Sequence, residues 1–167
     1  MWQHVSTCSI DNVGEDRLVG VGISTDGSKS LVVAWDSLAA VAWDIQAGRV
    51  LWRTDDPHST LIPDGAFDDK FVRVAAGEAC GRYRMFGPFE WGVGRTLDPA
   101  SGRALELDAA TETLIVRTRA EECRLKYDAF GDWACASFSE DGQVIAVLDP
   151  HFASFFVWRD SPLANSP

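Results

Sequence analysis

Short apolar runs separated by polar turn residues recur along this chain, and 111–118 alternates around Leu114 and Val116 with the period of two expected of a strand. Segments 21–24, 30–35, 41–43, 50–52, 70–76, 111–118, 135–139, 143–148 and 155–158 are apolar and rich in Val, Ile, Leu, Phe and Trp. Residues bearing Asp, Gly, Pro or Ser separate them, which are the residues that favour turns. Residues 2–10 alternate loosely and predict a first strand. Residues 11–16 read as a polar turn, and 17–24 as a strand interrupted by Gly20 and Gly22. Residues 77–84 read as a turn entering another strand. Only 119–128 leaves helix open beside strand, and there Ala120, Cys123 and Leu125 make no convincing helical stripe. The expected fold class is all-β, built from antiparallel meanders.

Two stretches repeat each other. Ser24, Asp26-Gly27, Val41 and Trp43 match Ser139, Asp141-Gly142, Phe156 and Trp158 at one constant offset, without a gap. Each copy reads as strand, Ser-x-Asp-Gly turn, strand, polar turn, and strand ending in Trp. Asp-Gly suits a tight turn because glycine takes positive φ without a Cβ clash. After Trp43-Asp44 a turn through Gly48-Arg49 leads to a fourth strand. Residues 96–105 hold a second such hairpin, in which Asp98 and Gly102-Arg103 match Asp44 and Gly48-Arg49.

This pattern resembles a blade of the WD40 and quinoprotein-like propeller families, with Trp43-Asp44 and Gly48-Arg49 as the best match. The resemblance covers two clear blade-like units, 22–44 and 136–159, and a degenerate middle one. The second copy departs from the pattern, with Arg159 where Asp would stand, and the Gly-His element usual in WD40 blades is not evident. The resemblance implies blade-like meanders and a partial or small propeller. It implies no activity, since propellers host many unrelated ones. Length sets a constraint, because propellers use at least four blades of about forty residues, and 167 residues accommodate three, or four lean ones. Three arrangements remain open: a compact β-sandwich or barrel of blade-like hairpins, a half-propeller that closes by dimerisation through open sheet edges, or a ring with eroded blades. The expectation is one all-β domain over 1–160 with a polar tail at 161–167.

Charge narrows the function classes. With 25 acidic and 15 basic residues the net charge is −10. Nucleic acid and anionic membrane surfaces both require a basic footprint and are disfavoured as partners. A basic protein partner is favoured, because the field of an acidic chain would steer it. No apolar run reaches the ~20 residues that span a bilayer. The segment Met1-Trp2-Gln3-His4 lacks a basic start and an apolar core, so the expected location is cytoplasmic.

Motifs for chemistry are sparse. Cys8, Cys80, Cys123 and Cys135 include no CxxC spacing, so free buried thiols are expected rather than a zinc site. His4, His58 and His151 are scattered. The chain contains no GxSxG, no GxxxxGK[ST] and no GxGxxG. No catalytic residue, metal ligand or cofactor is assigned, and the chain is not expected to be an enzyme. Two stretches are candidate contact sites. Residues 55–69 (DDPHSTLIPDGAFDD) contain no Lys or Arg; they read as a solvated connector or as an acidic recognition loop carrying Asp55, Asp56, Asp64, Asp68 and Asp69. A calcium site is a third option there, although the EF-hand pattern is absent. Residues 85–94 (MFGPFEWGVG) place Phe86, Phe89 and Trp91 among glycines. Those rings either fill the core at a tight corner or, at Phe89 and Trp91, form an aromatic contact surface. The expected function is a small acidic protein-binding module, in its sharpest form an inhibitor or immunity protein that neutralises a basic toxin or enzyme. The alternatives are a carboxylate- or metal-dependent hydrolase and a half-propeller subunit of a homo-oligomer.

Overall fold

The computed structural model describes residues 1–34, 39–63, 70–75, 77–89 and 91–160. The chain enters on β1 (Trp2–Ser9), turns through one short helix, α1 (Ile10–Val13), and runs a meander of β2 (Leu18–Ser24), β3 (Lys29–Ala34), β4 (Ala40–Asp44) and β5 (Arg49–Thr54). A second short helix, α2 (Pro57–Thr60), leads into β6 (Leu61–Pro63), β7 (Phe71–Val74) and β8 (Gly81–Phe86). A third meander contains β9 (Leu97–Asp98), β10 (Arg103–Asp108), β11 (Thr113–Arg117) and β12 (Glu122–Lys126). The last strands are β13 (Cys135–Phe138), β14 (Val144–Leu148) and β15 (Phe152–Trp158).

These strands form three sheets, with every pairing among the described residues antiparallel. The first is four-stranded in the order β1-β15-β14-β13, so the first strand of the chain completes the last meander. The second has seven strands in the order β5-β4-β3-β2-β8-β7-β6, and the third four in the order β12-β11-β10-β9. The seven-stranded sheet joins two meanders through β2 and β8 and curls strongly. The all-β antiparallel architecture agrees with the sequence reading, while its helices were not foreseen. Within 11–16, read as a turn, the chain instead completes α1, because Ser9 and Asn12 form a capping box and Gly14 (φ 79°) ends the helix in the left-handed region. Residues 119–128 resolve as a strand: β12 pairs with β11 through five rungs, from Thr113 opposite Lys126 to Arg117 opposite Glu122.

Three apolar clusters fill the spaces between and within the sheets. Val21, Val41, Trp43, Val144, Leu148 and Phe155 lie in the one joining the first and seven-stranded sheets. Trp2, Leu114, Phe138, Ile145 and Phe156 lie in the one joining the first and third sheets. Leu31, Val33, Val72, Tyr83 and Met85 lie where the seven-stranded sheet curls over itself. The first sheet is therefore the central layer, buried on both faces, and every residue of β14 is buried accordingly. A strand covered on both faces reads as continuous rather than alternating hydrophobicity.

The internal repeat holds at the level of single hydrogen bonds. In the first copy the Ser24 hydroxyl donates to Asp26 Oδ1 (2.7 Å), Ser28 N donates to the same oxygen (3.0 Å), and Lys29 N donates to Ser24 Oγ (3.0 Å). In the second the equivalents are Ser139 to Asp141 (2.6 Å), Gln143 N to Asp141 (3.0 Å), and Val144 N to Ser139 Oγ (2.9 Å). Serine and aspartate thus satisfy the turn amides that leave the ladder, the local role for which short polar side chains are suited. The Gly48 and Gly102 hairpins match as well, with φ of 65° and 68° and amides donating to the Asp44 and Asp98 carbonyls (2.9 and 2.8 Å).

Candidate functional site

The site is a cavity at one end of the seam between the first and third sheets. Its volume is about 310 Å³, and its walls include Glu112, Tyr127, Phe130, Asp132, Trp133 and Asp149. Three of these are acids and three are aromatic rings. Glu112 comes from the β10–β11 turn, Tyr127 follows β12, Phe130 to Trp133 lie in the segment entering β13, and Asp149 follows β14.

Asp149 fixes the floor. Its side chain is buried, and Oδ1 accepts from His151 N (2.7 Å) and Phe152 N (2.8 Å) while Oδ2 accepts from Phe130 N (2.8 Å). The carboxylate therefore shapes the β14–β15 turn and pins the 130 segment across it. Burial pushes its pKa above the ordinary carboxylate range, against the three amide donors and His151, which pull it down. A raised pKa means that the stability linked to protonation of Asp149 is full below the unfolded carboxylate value of about 4 and is lost as pH rises through its folded value, while the carboxylate goes on accepting from the three amides. At neutral pH, Asp149→Ala leaves three part-buried amides without their acceptor and is expected to cost about 2 kcal/mol, whereas Asp149→Asn keeps one acceptor oxygen and is expected to cost about 1 kcal/mol. Thermal denaturation of the two variants side by side checks this order.

Glu112 is held at φ 52°, in the left-handed region that non-glycine residues seldom occupy. Asp108 Oδ1 accepts from Ala110 N (3.1 Å) and Thr111 N (3.3 Å) and so forms this turn. The turn has the spacing of Asp44 to Gly48 and Asp98 to Gly102, with Glu where the others have glycine. That mismatch was the available sequence signal for the cavity. Strain of this kind gathers where a side chain must be presented in one direction. Neither Glu112 nor Asp132 engages its carboxylate in a hydrogen bond or ion pair with the described residues. Burial raises the Tyr127 pKa, and the nearby charges of Asp149, Glu112 and Asp108 raise it further, so the phenol stays protonated in a negative field. Trp133, another wall, has a buried indole N–H without an acceptor.

Exposed rings extend the site outward. Phe130 is 61% exposed and lies against the His151 ring, with centroids 4.2 Å apart. Phe89 is 53% exposed and meets Trp133 edge-on at 6.0 Å. Phe89, a contact candidate from sequence, thus stands at this site. Trp91 is half-buried and packs over β2, where a Cβ on Gly20 would lie 2.2 Å from its ring. Its role is packing in a space that glycine leaves open. Phe86 is core.

The acidic stretch divides differently. Asp55 pairs with Arg53 (2.8 Å), and Asp56 caps α2 by accepting from Ser59 N (3.4 Å). Both carboxylates thus have local roles. Arg53 also donates to the Val13 carbonyl at the end of α1, and Ile10 N at its start donates to His151 (2.9 Å). That path places Asp55 and Asp56 at the same end of the molecule as the cavity. Asp64, Asp68 and Asp69 lie outside the described residues. Among the described residues, no group of three or more His, Cys, Asp or Glu is disposed to hold a metal ion. The four thiols are free and differ in setting: Cys8 is buried, Cys123 and Cys135 half-buried, and Cys80 exposed, contrary to the expectation of four buried thiols. Burial pushes Cys8 and Cys135 up to about 12, so neither thiol ionises near neutral pH. Among the described residues no helix is long and apolar enough to cross a membrane.

No protein-family model matches the chain, and no curated protein does. Among solved structures the chain is similar to one from a crystal structure of the mitotic checkpoint complex, at 12% identity and a TM-score of 0.29. That similarity covers 86% of this chain and 49% of the other, so this chain spans about half the length of the one it matches. At that score the likeness carries no argument about family or function.

Proposed function

We propose that this chain is a binding module for a basic protein, built on a reduced WD40-like propeller plan, and that its sharpest form is an inhibitor or immunity protein neutralising a basic toxin or enzyme. The observation that supports this reading is the concentration, at one end of an acidic molecule, of unengaged carboxylates beside exposed rings. Glu112 and Asp132 supply charge, while Phe89 and Phe130 supply apolar contact area. Interfaces draw association rate from charge complementarity and much of their affinity from a few aromatic anchors. Asp55 and Asp56 widen the acidic end but are secondary, since Arg53 and α2 occupy them.

The test is a captured basic protein followed by measurement of its association rate. Reversal of Glu112 and Asp132 to Lys is expected to slow association about tenfold at low salt, and reversal of Asp55 and Asp56 to slow it less. Phe89→Ala is expected to speed dissociation. A partner whose rates respond to neither salt nor these substitutions would remove the basis for the proposal.

A further inference from the structure

We infer that the cavity walled by Glu112, Tyr127, Phe130, Asp132, Trp133 and Asp149 is a receptor for a single arginine side chain presented on a peptide backbone. This rests on the binding-module reading and makes it specific.

The size argues for one side chain. At about 310 Å³ the cavity lies at the lower limit of sites that take whole small molecules or cofactors. The walls argue for a guanidinium. Planar and weakly hydrated, it stacks on aromatic faces and pairs with carboxylates through two parallel N–H donors, while an ammonium acts as a compact, strongly hydrated point charge. Flat rings and unengaged carboxylates together match the first description. Among the described residues no Lys or Arg lines the cavity, and the nearby Lys126 ammonium is engaged by the Thr111 carbonyl. Asp149 retains acceptor capacity beyond the single amide on its Oδ2. The Trp133 indole N–H is buried and has no acceptor among the described residues, so it lies behind the wall and reports occupancy without touching the ligand. The exposed Phe130 ring at the rim offers contact area to residues flanking the arginine, which a free guanidinium lacks. An arginine within a chain is also the form in which a basic protein partner carries this group.

The probes are Ac-Gly-Arg-Gly-NH2, Ac-Gly-Lys-Gly-NH2, Ac-Gly-Gln-Gly-NH2 and methylguanidinium. The readout is the 1H–15N shift of the Trp133 indole, assigned by comparison with Trp133→Phe. The arginine peptide is expected to shift that resonance saturably, with at least threefold higher affinity than the lysine peptide or methylguanidinium, and the glutamine peptide is expected not to bind. The double variant Glu112→Gln, Asp132→Asn removes no structural hydrogen bond and is expected to weaken the arginine peptide at least tenfold while leaving the melting temperature within a few degrees. Asp149 is not substituted, because three amides depend on it. Absence of a saturable shift, equal response to glutamine, or indifference to the double variant would each overturn the inference. A basic partner protein that still binds with charge-dependent rates after such a result leaves the binding module standing and moves its contact elsewhere. Arginine-peptide binding without any such protein partner would retain the cavity's assignment and remove the protein-partner reading.

Discussion

Asp98→Ala is expected to lower the stability of the fold by about 3–5 kcal/mol, the usual consequence of removing one member of a buried ion pair. Asp98 is 2% exposed at the start of the β9–β10 turn. It accepts from the Ser101 hydroxyl and from Ala100 N (3.3 Å), and it faces Arg95 at 3.3 Å and Arg103 at 3.9 Å. Arg95 also donates to the carbonyls of Ser139 (3.2 Å) and Glu140 (2.7 Å), so Asp98 and Arg95 together tie the third sheet to the repeat turn of the first. A Cβ on Gly142 would approach Asp98 to 2.5 Å, which shows how closely the turns meet. Arg103 already has one buried nitrogen without a partner among the described residues, and loss of the carboxylate would remove its ion-pair partner there. Asp98→Asn keeps the turn acceptor and is expected to lose about half as much. Burial raises the Asp98 pKa, but Ser101, Ala100, Arg95 and Arg103 outweigh it and hold it below the ordinary value. A lowered pKa contributes stability above the unfolded value of about 4, and that stability is lost as pH falls through the folded one. The gap between the native chain and Asp98→Asn should therefore narrow in acid below about pH 4. Urea midpoints at neutral and acid pH, with an unchanged slope, measure both effects. A loss for Asp98→Ala of under about 1 kcal/mol would mean the two sheets do not depend on this joint.

Trp2→Ala is expected to cost a comparable amount, about 3–5 kcal/mol, because a large buried ring leaves a cavity that its neighbours only partly fill. Trp2 is 5% exposed. Its ring meets Trp158 edge-on at 5.5 Å and Phe138 at 6.2 Å. The Arg103 guanidinium lies 5.3 Å from Trp2 and 5.1 Å from Trp158, wedged against both indoles. Trp2 therefore anchors β1 onto β15 and also walls the Arg103 charge. The coupling between Trp2→Ala and Asp98→Ala should be non-additive, since both act on one guanidinium. A double-mutant cycle in urea gives the coupling, and strict additivity would show that the stack and the ion pair are independent.

The repeat was legible because its information is local. Ser-x-Asp-Gly specifies a turn through side-chain to backbone hydrogen bonds spanning only a few residues, and both copies form them. The return of β1 to pair with β15 was not legible, because nothing in the 2–9 segment names its partner and the pairing is decided by burial between two other sheets. The joining of β2 to β8 was missed for the same reason. Phe89 was picked out by composition, but Phe130, Trp133 and Asp149 were not, since they converge only when the third sheet docks on the first. Asp55 and Asp56 misled in emphasis: clustered negative charge is visible in sequence, while the arginine and helix terminus that occupy it are visible only in space.

The β1–β15 ladder has a mechanical consequence. Trp2 pairs with Trp158 and Ser9 with Phe152, so the two outer ends of the ladder lie at one extremity, where Arg159 N also donates to Met1 (2.8 Å). Tension applied beyond Trp2 and Trp158 acts across the strands, not along them. It loads one rung at a time, beginning at the indole pair, and does not shear all rungs together. A fold whose β1 and β15 pair in this way is expected to unzip under modest force, with the first rupture at the Trp2 stack.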